Sequence, residues 1–305
     1  MADRLILIDA YSQIYRVFYA IRMLNSPSGA PCNAVYGMAR LFLHLHQHYP
    51  SDLGAIVFDK GKCTRRCALH PEYKAQRPPM PPALREQLAL IRQWAEAFGW
   101  PTAEREGAEA DDLICGLTHA TRPCSTLILT GDKDIAQLTA LDNVRLLVRG
   151  AAQKPWSEEG TEAVRAKFGV EPQQLRDYLA LIGDSADNIP GLAGCGARTA
   201  ARLLTEFGDL EGIYRNIDAV RPQKLREALA AGSELLRRNQ SLISLDCLLP
   251  EGWSGPESLR RQAPDWKRLT ELAQHSAFKS LLEIFEQKAA EDSATRNAPQ
   301  QLSLF

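Results

Sequence analysis

The 305-residue sequence lacks the apolar segments of a membrane or secreted protein. No run of 18 apolar residues occurs, and the N-terminus has neither the basic region nor the long apolar region of a signal peptide. Seven cysteines, an odd and scattered set, give no disulfide framework and favour a reducing compartment. Cys63 and Cys67 have no second pair nearby, so we expect no zinc site there. We expect a cytoplasmic protein that does not contact a membrane.

The sequence also lacks the excess of basic residues that is typical of nucleic-acid-binding proteins. Its 36 Lys and Arg residues are balanced by 37 Asp and Glu residues, which gives a net charge of −1. With 45% hydrophobic and 24% charged residues the composition is that of a globular protein, and the length allows two domains. The acidic residues are unevenly distributed along the chain.

Five carboxylates lie in two short clusters between Gly107 and Gln137. Apolar residues follow the first cluster directly and precede the second, so both clusters adjoin buried elements. A solvated acidic face is the alternative for any charge run. Closely spaced carboxylates in a cleft repel one another unless cations are bound, and oxygen ligands favour Mg²⁺ or Mn²⁺. The five residues are Glu109, Asp111, Asp112, Asp132 and Asp134.

Three apolar segments end in an aspartate, in the pattern of strands of a buried parallel sheet. Any one of these aspartates could simply cap the following helix. Three together favour a common site, because the functional crevice of an open α/β sheet lies beyond the carboxyl ends of its strands. The segments are Arg4–Asp9, Leu53–Asp59 and Thr126–Asp132.

The composition changes between Asp59 and about residue 100. Six basic residues and a proline cluster accompany one acid, Glu72, before a predicted helix over Ala83–Phe98. Such a segment suits a surface excursion better than a core element. We favour a phosphate-contacting lid over a solvated loop, because the excursion leaves directly from Asp59 and tethers its cations beside the acids.

From Pro172 onward the pattern predicts helices and no clear strand, which places a domain change near residues 150–170. Asp184 and Asp187 would share one helical face and could hold a second cation. Three glycines follow in a predicted hairpin between two helices, where they would let a DNA backbone approach and offer N–H groups to phosphate. They are Gly191, Gly194 and Gly196.

Over about Arg4–Phe285 these segments resemble the 5′-nuclease (flap endonuclease) family, and most closely its 5′→3′ exonuclease domain in bacterial DNA polymerase I. All nine acidic positions of the family pattern are present. Arg65 stands where the family usually has an aromatic residue, and Ala197-Arg198 replaces the common Glu-Lys of the hairpin. The motifs that carry the resemblance are Ile8-Asp9, Tyr15-Arg16, Val57–Asp59, Tyr73-Lys74 with Arg77, Glu109–Asp112, Gly131–Asp134 and Gly183–Asn188.

The resemblance implies an α/β fold with a PIN-like central sheet flanked by helices and crossed by a helical arch at about 60–100. An all-helical domain would follow, with a helix-hairpin-helix element at about 175–205. The implied boundaries are 1–165 for the nuclease domain, 166–288 for the helical DNA-binding domain and 289–305 for a disordered tail.

The resemblance also implies two or more Mg²⁺ or Mn²⁺ ions held by the nine acids, and K⁺ at the helix-hairpin-helix element. Without those nine acids, 36 basic residues face 28 acidic ones, a balance of +8 that suits a DNA partner. The nine are Asp9, Asp59, Glu109, Asp111, Asp112, Asp132, Asp134, Asp184 and Asp187.

For the reaction, the resemblance implies phosphodiester hydrolysis by a monomer in DNA with 5′ flaps, nicks, gaps or ends, or in RNA–DNA hybrids. Lys74 and Arg77 would be catalytic cations, and the ring of Tyr73 would stack on an unpaired base. The implied DNA contacts are Arg16, Arg66, Gly191, Gly194, Gly196, Arg198 and Thr199.

The chain ends in a polar segment followed by an apolar pentapeptide. This segment either folds back on the rest of the protein or docks to a partner. We favour docking, because the pentapeptide resembles the motif by which bacterial replication proteins bind the sliding clamp. The motif residues are Gln301, Leu302, Leu304 and Phe305.

Two other functions are compatible with parts of the sequence. The first is a clamp-tethered protein that binds DNA structures and has only vestigial cleavage; the intact set of acids argues against it, because a pure binder gains nothing from anions near phosphate. The second is a single-stranded RNA nuclease of the wider PIN group, which fits the acids but not the glycine hairpin.

Overall fold

The computed structural model describes residues 4–149 and 156–297. Within these ranges, no helix combines the length and apolarity needed to cross a lipid bilayer. An α/β region is followed by a helical region, which confirms the predicted fold class.

The α/β region contains the central sheet and the helices that cover it. A 3₁₀ helix over Asp134–Ala140 follows the fourth strand. The strands are β1 (Arg4–Asp9), β2 (Leu53–Val57), β3 (Thr102–Ala103), β4 (Ser125–Leu129), β5 (Val144–Arg149) and β6 (Trp156–Glu159), and the helices are α1 (Ala10–Ala20), α2 (Asn33–His48), α3 (Thr64–Leu69), α4 (Pro82–Arg85), α5 (Leu88–Ala97), α6 (Ala110–Ala120) and α7 (Thr161–Phe168).

The sheet has the strand order β3-β2-β1-β4-β5-β6, in which β1 to β5 run parallel and β6 is antiparallel to β5. Strand β1 is inside the sheet, since Leu5 pairs with Leu53 on one side and with Thr126 on the other. Parallel strands in this register end at the same edge of the sheet. Asp9 therefore lies at the same edge as the segments that follow β2 and β4.

Apolar side chains fill both faces of the sheet, which explains the near-continuous apolar sequence of β1. Ile6 and Ile8 pack with residues of α1, α2 and α5 on one face. Leu5 and Leu7 pack with residues of α6 on the other face. All four side chains are completely buried, so β1 is held rigidly behind the edge where the acids follow.

The basic segment after β2 folds into α3, α4 and α5, and the helix predicted over Ala83–Phe98 is divided into two. Gln87, between α4 and α5, is buried, and its side chain contacts the start of α2. Its Oε1 accepts hydrogen bonds from the N–H groups of Ala34 (2.8 Å) and Val35 (3.2 Å), at the start of α2. Gln87 thus caps α2 from a distant part of the chain.

The helical region begins after α7 and contains two very short strands. They pair antiparallel, so the prediction of no strand beyond Pro172 is wrong here. One 3₁₀ helix, Ser185–Asp187, lies between them. The elements are α8 (Leu175–Ile182), β7 (Gly183–Asp184), β8 (Ile189–Pro190), α9 (Ala197–Phe207), α10 (Leu210–Arg215), α11 (Gln223–Ala231), α12 (Ser233–Ile243), α13 (Trp266–His275) and α14 (Lys279–Asn297).

The chain leaves the helical conformation at Gly183, whose φ of 77° favours glycine. Asp184 and Asp187 therefore do not share a face of a continuous helix, as the sequence spacing predicted. Asp184 instead caps the 3₁₀ helix, and its Oδ1 accepts a hydrogen bond from Ala186 N at 3.0 Å.

Helix α14 continues to Asn297, so the disordered tail predicted from residue 289 is wrong for residues 289–297. Ala289 and Ala290 have high helix propensity, and Lys288 pairs with Glu291 at 2.9 Å. The predicted clamp-binding residues 301–305 lie outside the described residues.

Candidate metal centre

A cleft of about 470 Å³ opens at the carboxyl edge of the sheet. Acids from three strand ends and from the start of α6 lie in its walls, together with Lys74 and Arg77 of the basic segment. The sequence predicted this convergence from three aspartates alone. The acidic lining residues are Asp9, Asp59, Glu109, Asp111 and Asp132.

Asp9 is both the last residue of β1 and the N-cap of α1. Its Oδ1 accepts from Ser12 N at 3.1 Å and its Oδ2 accepts from Thr130 Oγ1 at 2.7 Å, so the carboxylate is fixed in position. Burial, and then the nearby charge of Asp59, raise the pKa of Asp9 to about 7, against the smaller lowering effect of these hydrogen bonds. Asp9 is therefore both an N-cap and a member of a cluster of mutually repelling carboxylates.

Asp59 and Asp111 belong to the same cluster. Asp59 Oδ1 accepts from Ala110 N at 2.6 Å, which ties the end of β2 to the start of α6. Burial raises the pKa of Asp59, while this backbone bond opposes the effect. Burial also raises the pKa of Asp111 well above its usual value, and the charges of Asp132, Asp9 and Asp59 add to it.

A second group of acids continues from Asp132 toward the helical region. Burial, followed by the charges of Asp132, Asp184 and Asp187, raises the pKa of Asp134 well above its usual value. Asp134 Oδ1 is buried and has no hydrogen-bond partner within the described ranges. One cation is already present, because Lys133 Nζ lies 3.0 Å from Asp184 Oδ1.

The acids of this cleft suit a divalent metal ion. The donors are carboxylate oxygens, which suit a hard divalent cation such as Mg²⁺ or Mn²⁺. Like charges disfavour ionisation throughout the cluster, and Asp134 Oδ1 is a buried acceptor without a donor. The residues that could hold ions are Asp9, Asp59 and Asp132 after three strands, Asp111 at the start of α6, and Asp134, Asp184 and Asp187 beside the helical region, with Glu109 within reach.

Lys74 connects the basic segment to the acids of both groups. Its Nζ donates to Glu109 Oε1 at 2.6 Å and lies 3.6 Å from Asp187 Oδ2. Its backbone N–H donates to the carbonyl of Asp187 at 3.1 Å, with φ at 55°. Arg77, which is half exposed, also pairs with Asp187. The basic segment thus places two cations beside the acids, as the sequence predicted.

Tyr73 does not present its ring to a base, contrary to the predicted stacking role. The residue is only 8% exposed, and its ring packs in the apolar core of the helical region. Its hydroxyl lies 3.0 Å from both Glu109 Oε2 and Asp187 Oδ2 and donates to either. Burial raises the pKa of Tyr73, so the hydroxyl stays protonated and positions these two carboxylates.

Asp112 and Arg66 form a buried pair, and both predicted roles need correction. Arg66 Nη1 donates to Asp112 Oδ2 at 2.6 Å and Nη2 donates to Asp112 Oδ1 at 2.8 Å. Asp246 N also donates to Asp112 Oδ1 at 2.8 Å. With both oxygens engaged and 1% exposure, Asp112 is not available to a metal ion. Arg66, at 3% exposure, cannot contact DNA in this structure.

The guanidinium of Arg66 also contacts a second group of residues whose spacing would suit a metal ion. Cys63, Glu109 and Asp112 place ligand atoms within 4.8 Å of one another. Arg66 Nη1 occupies their centre, donating to Glu109 Oε2 at 2.7 Å and to Cys63 Sγ at 3.5 Å. The cation of this cluster is therefore a side chain of the protein.

The three glycines of the hairpin differ in their surroundings. A Cβ on Gly191 would lie 2.2 Å from the Ile182 carbonyl oxygen, so Gly191 serves close packing. Gly194, with φ at 78°, and Gly196 face open space. Gly196 precedes α9 without a side-chain cap, and Arg198 beside it is exposed while Thr199 is half-buried. Exposed N–H groups at this end of α9 suit an anion.

Arg16 is exposed but lies away from the acids, in a second cavity on the other side of α1. Three residues that support the acids were not predicted from the sequence, namely Ser12, Thr130 and Lys133. Lys133 lies inside the Gly131–Asp134 motif and could have been predicted. The Thr130–Asp9 and Gly131–Ser12 side-chain contacts depend on the pairing of β1 with β4, which no local pattern shows.

Comparisons with known proteins match both regions of the chain. Residues 4–169 match the family model of the 5′-3′ exonuclease N-terminal resolvase-like domain, and residues 170–267 match the model of the 5′-3′ exonuclease C-terminal SAM fold. The 5′-3′ exonuclease of Aquifex aeolicus is 35% identical over 286 residues, which cover 91% of this chain and 93% of that protein.

Several longer relatives are DNA polymerases. DNA polymerase I of Caldicellulosiruptor bescii is 36% identical over 92% of this chain, and that of Pseudomonas aeruginosa is 40% identical over 79%. The chain spans about a third or less of these proteins, namely 33% and 26% of their lengths.

Solved structures with low sequence identity share the fold. A variant of T5 5′-exonuclease superposes with a TM-score of 0.61 at 22% identity and covers 93% of this chain and 99% of that chain. The catalytic core of Rad2 in complex with DNA substrate gives a TM-score of 0.61 at 15% identity, with 90% and 87% coverage.

The Arg66–Asp112 pair predicts opposite effects for two adjacent substitutions. We expect Asp112→Asn to lower the free energy of unfolding by about 3–5 kcal/mol, because it leaves a buried guanidinium with one carboxylate fewer. We expect Asp111→Asn to raise the stability of the EDTA-treated protein, because it removes one of several repelling charges. Urea unfolding followed by circular dichroism measures both; equal destabilisation by the two substitutions would contradict the assignment.

Proposed function

The chain belongs to the 5′-3′ exonuclease family, and from this premise we propose that it is a divalent-metal-dependent 5′ nuclease that hydrolyses phosphodiester bonds in structured DNA. One observation carries the proposal: buried carboxylates with raised pKa values line the same cleft as Lys74 and Arg77. An anionic cluster beside cations suits a phosphate ester held between metal ions and side chains.

We assign two groups of metal ligands, for Mg²⁺ or Mn²⁺. Cations bound there would supply activation of a water molecule and neutralisation of charge on the phosphate. Glu109 has a divided role, since it also accepts hydrogen bonds from Lys74, Tyr73 and Arg66. The first group is Asp9, Asp59, Glu109, Asp111 and Asp132, and the second is Asp134, Asp184 and Asp187.

Lys74 and Arg77 would act on the substrate through their positive charge. The charges of Glu109 and Asp187 raise the pKa of Lys74 against the effect of burial, so its ammonium group stays protonated. A phosphate entering the cleft would compete with these carboxylates for Lys74 and Arg77. Both side chains would then orient the scissile phosphate and offset the charge that develops in the transition state.

The substrates we propose are DNA with 5′ flaps, nicks, gaps or ends, and RNA–DNA hybrids. Exposed N–H groups near Gly194 and Gly196, with Arg198 and Thr199 at the start of α9, would hold a duplex backbone, with K⁺ at this hairpin. Residues 1–165 would thus carry the chemistry, and residues 166–288 would grip the duplex. We propose a monomer in the cytoplasm.

The proposal predicts that Asp132→Asn separates cleavage from binding. We expect the rate of cleavage of a 5′-labelled flap substrate in Mg²⁺ to fall at least about 10²-fold, because a metal ligand is lost. Binding of the same substrate in EDTA, measured by fluorescence anisotropy, should be retained. Asp142→Asn, an exposed aspartate before β5, is the matched control and should cleave normally.

Loss of both binding and cleavage by Asp132→Asn would contradict a metal-ligand role. If the wild-type protein bound flap DNA but never cleaved it, a DNA-structure-binding function would replace the nuclease. If it cut unstructured RNA instead, a single-stranded RNA nuclease would be the better assignment.

The raised pKa of Asp9 predicts a pH-dependent response to metal. In EDTA, a carboxyl group with a pKa of about 7 when folded and about 3.9 when unfolded contributes stability that increases as pH falls from about 7 to about 4. Mg²⁺ binds the ionised form, so we expect Mg²⁺ to raise Tm more at pH 8 than at pH 5. Differential scanning calorimetry tests this, and an equal shift at both pH values would contradict it.

For the C-terminal motif we propose docking to the bacterial sliding clamp. Gln301, Leu302, Leu304 and Phe305 would provide a polar contact and apolar anchors for a pocket. We expect deletion of residues 301–305 to abolish co-elution with the clamp in size-exclusion chromatography and to leave cleavage of a flap substrate unchanged. Unchanged co-elution would refute the docking role.

A further inference from the structure

A second cavity, of about 270 Å³, lies on the side of α1 opposite to the acidic cleft. We call it the α1–α2 cavity, since residues of α1 and α2 form much of its lining, together with Arg149 at the end of β5 and Trp156 at the start of β6. The helix α1 thus separates two clefts. Tyr11 and Tyr15 line the acidic one, whereas Gln13 and Arg16 line the other.

Three exposed arginines line the α1–α2 cavity, and none has a carboxylate partner among residues 4–149 and 156–297. Two of them, Arg16 and Arg149, are close enough to interact, since burial and then the charge of Arg149 lower the pKa of Arg16. The neighbouring sequence 150–155 contains no acidic residue. The third arginine is Arg40 of α2.

An unpaired histidine lies in the same cavity. The Nε2 atom of His44 is buried and has no hydrogen-bond partner in the described chain. Burial, His48 and Arg149 lower the pKa of His44, as expected of an imidazole in a positive environment. Its ring is stacked on Trp156, with centroids 5.0 Å apart and planes 22° apart. The Arg149 guanidinium carbon lies 6.0 Å from the centre of the Trp156 ring.

Together these features indicate an anionic ligand with an aromatic part. Unpaired guanidinium groups around a concave surface bind phosphate oxygens in a planar, bidentate geometry. A buried imidazole nitrogen without a partner lacks one polar contact, which a ligand can provide. Trp156 lines the cavity, and the part of its aromatic surface that His44 leaves uncovered is where a nucleobase would pack. A cavity of about 270 Å³ has room for one nucleotide unit and little more.

We propose that the α1–α2 cavity binds a single nucleotide through its 5′-phosphate, with the base against Trp156 and His44. The ligand is either a free nucleoside monophosphate or the 5′-terminal nucleotide of a DNA strand, which share this chemistry. Gln13 connects the cavity with the acidic cleft, because its Nε2 donates to Ser12 Oγ at 3.3 Å and Ser12 Oγ accepts from Gly131 N at 2.7 Å. The site is distinct from the metal ligands, and its assignment does not depend on cleavage.

The test is calorimetric titration of the full-length protein in EDTA with 5′-dTMP, inorganic phosphate and thymidine. We expect 5′-dTMP and phosphate to bind and thymidine not to bind. The variant Arg40→Gln/Arg149→Gln should weaken 5′-dTMP binding at least about tenfold, because two charge-assisted contacts are lost. The control Arg215→Gln/Lys224→Gln removes the same charge from the exposed surface of the helical region and should bind like the wild type.

A second variant separates phosphate from base recognition. Trp156→Leu should weaken binding of 5′-dTMP but leave inorganic phosphate binding unchanged. If the arginine variant bound 5′-dTMP as tightly as the wild type, the nucleotide would lie elsewhere and the proposal would fail as a mononucleotide site.

The two sources of the nucleotide are distinguished by titrating the protein, again in EDTA, with single-stranded oligonucleotides that carry a 5′-phosphate or a 5′-hydroxyl. A preference for the 5′-phosphate that is lost in Arg40→Gln/Arg149→Gln assigns the cavity to the end of a strand. A preference that is absent or unchanged, together with 5′-dTMP binding that is sensitive to the arginines, assigns it to a free mononucleotide. If neither the preference for a 5′-phosphate nor the binding of 5′-dTMP depends on Arg40 and Arg149, the proposal is overturned, whether or not the protein cleaves DNA in Mg²⁺.

Discussion

The repulsion between carboxylates at one edge of a parallel sheet is the constraint on which the rest of this structure depends. Asp9, Asp59 and Asp132 reach that edge because their strands run in the same direction, and α6 adds Asp111. Burial in the sheet and its helices removes the water that would screen these charges, so their pKa values rise. A rigid core must hold such a cluster together, and the fully buried strand β1 lies directly behind it.

The protein itself neutralises some of these acids and leaves others for a ligand. Arg66 takes both oxygens of Asp112 and one of Glu109, and its Nε donates to the carbonyl of Leu242 at 2.8 Å. This buried guanidinium joins α6 to the last turn of α12, so the α/β and helical regions meet around a permanent cation. Backbone N–H groups donate to the carboxylates of Asp9, Asp59, Asp132 and Asp184. Asp184 and Asp187 also pair with Lys133 and Arg77, yet Asp134 Oδ1 has no partner among the described residues.

Much of this arrangement follows from sequence patterns, and the remainder depends on orientation in space. Apolar strands that end in aspartate predict a shared edge, because parallel direction alone brings their ends together. Adjacent residues on a helix point about 100° apart, so Asp111 and Asp112 cannot both face the cleft. The spacing of the acidic motif does not show which of the two faces it. The burial of Tyr73 and the pairing of Arg66 with Asp112 depend on how the segment after β2 packs against the helical region, over separations that no local pattern encodes. Glycine at position 183 signals the break in α8, but not the short β7–β8 hairpin that it introduces.

The central claim is that the free carboxylates bind divalent cations while Asp112 stays with Arg66. Crystals grown with Mn²⁺, with diffraction recorded at the manganese absorption edge, test it most directly. We expect anomalous peaks within about 2.0–2.4 Å of oxygens from Asp9, Asp59, Asp111, Asp132 or Asp134, with the Arg66–Asp112 pair intact. A map without manganese among these acids, or with Asp112 as a ligand and Arg66 displaced, would contradict it.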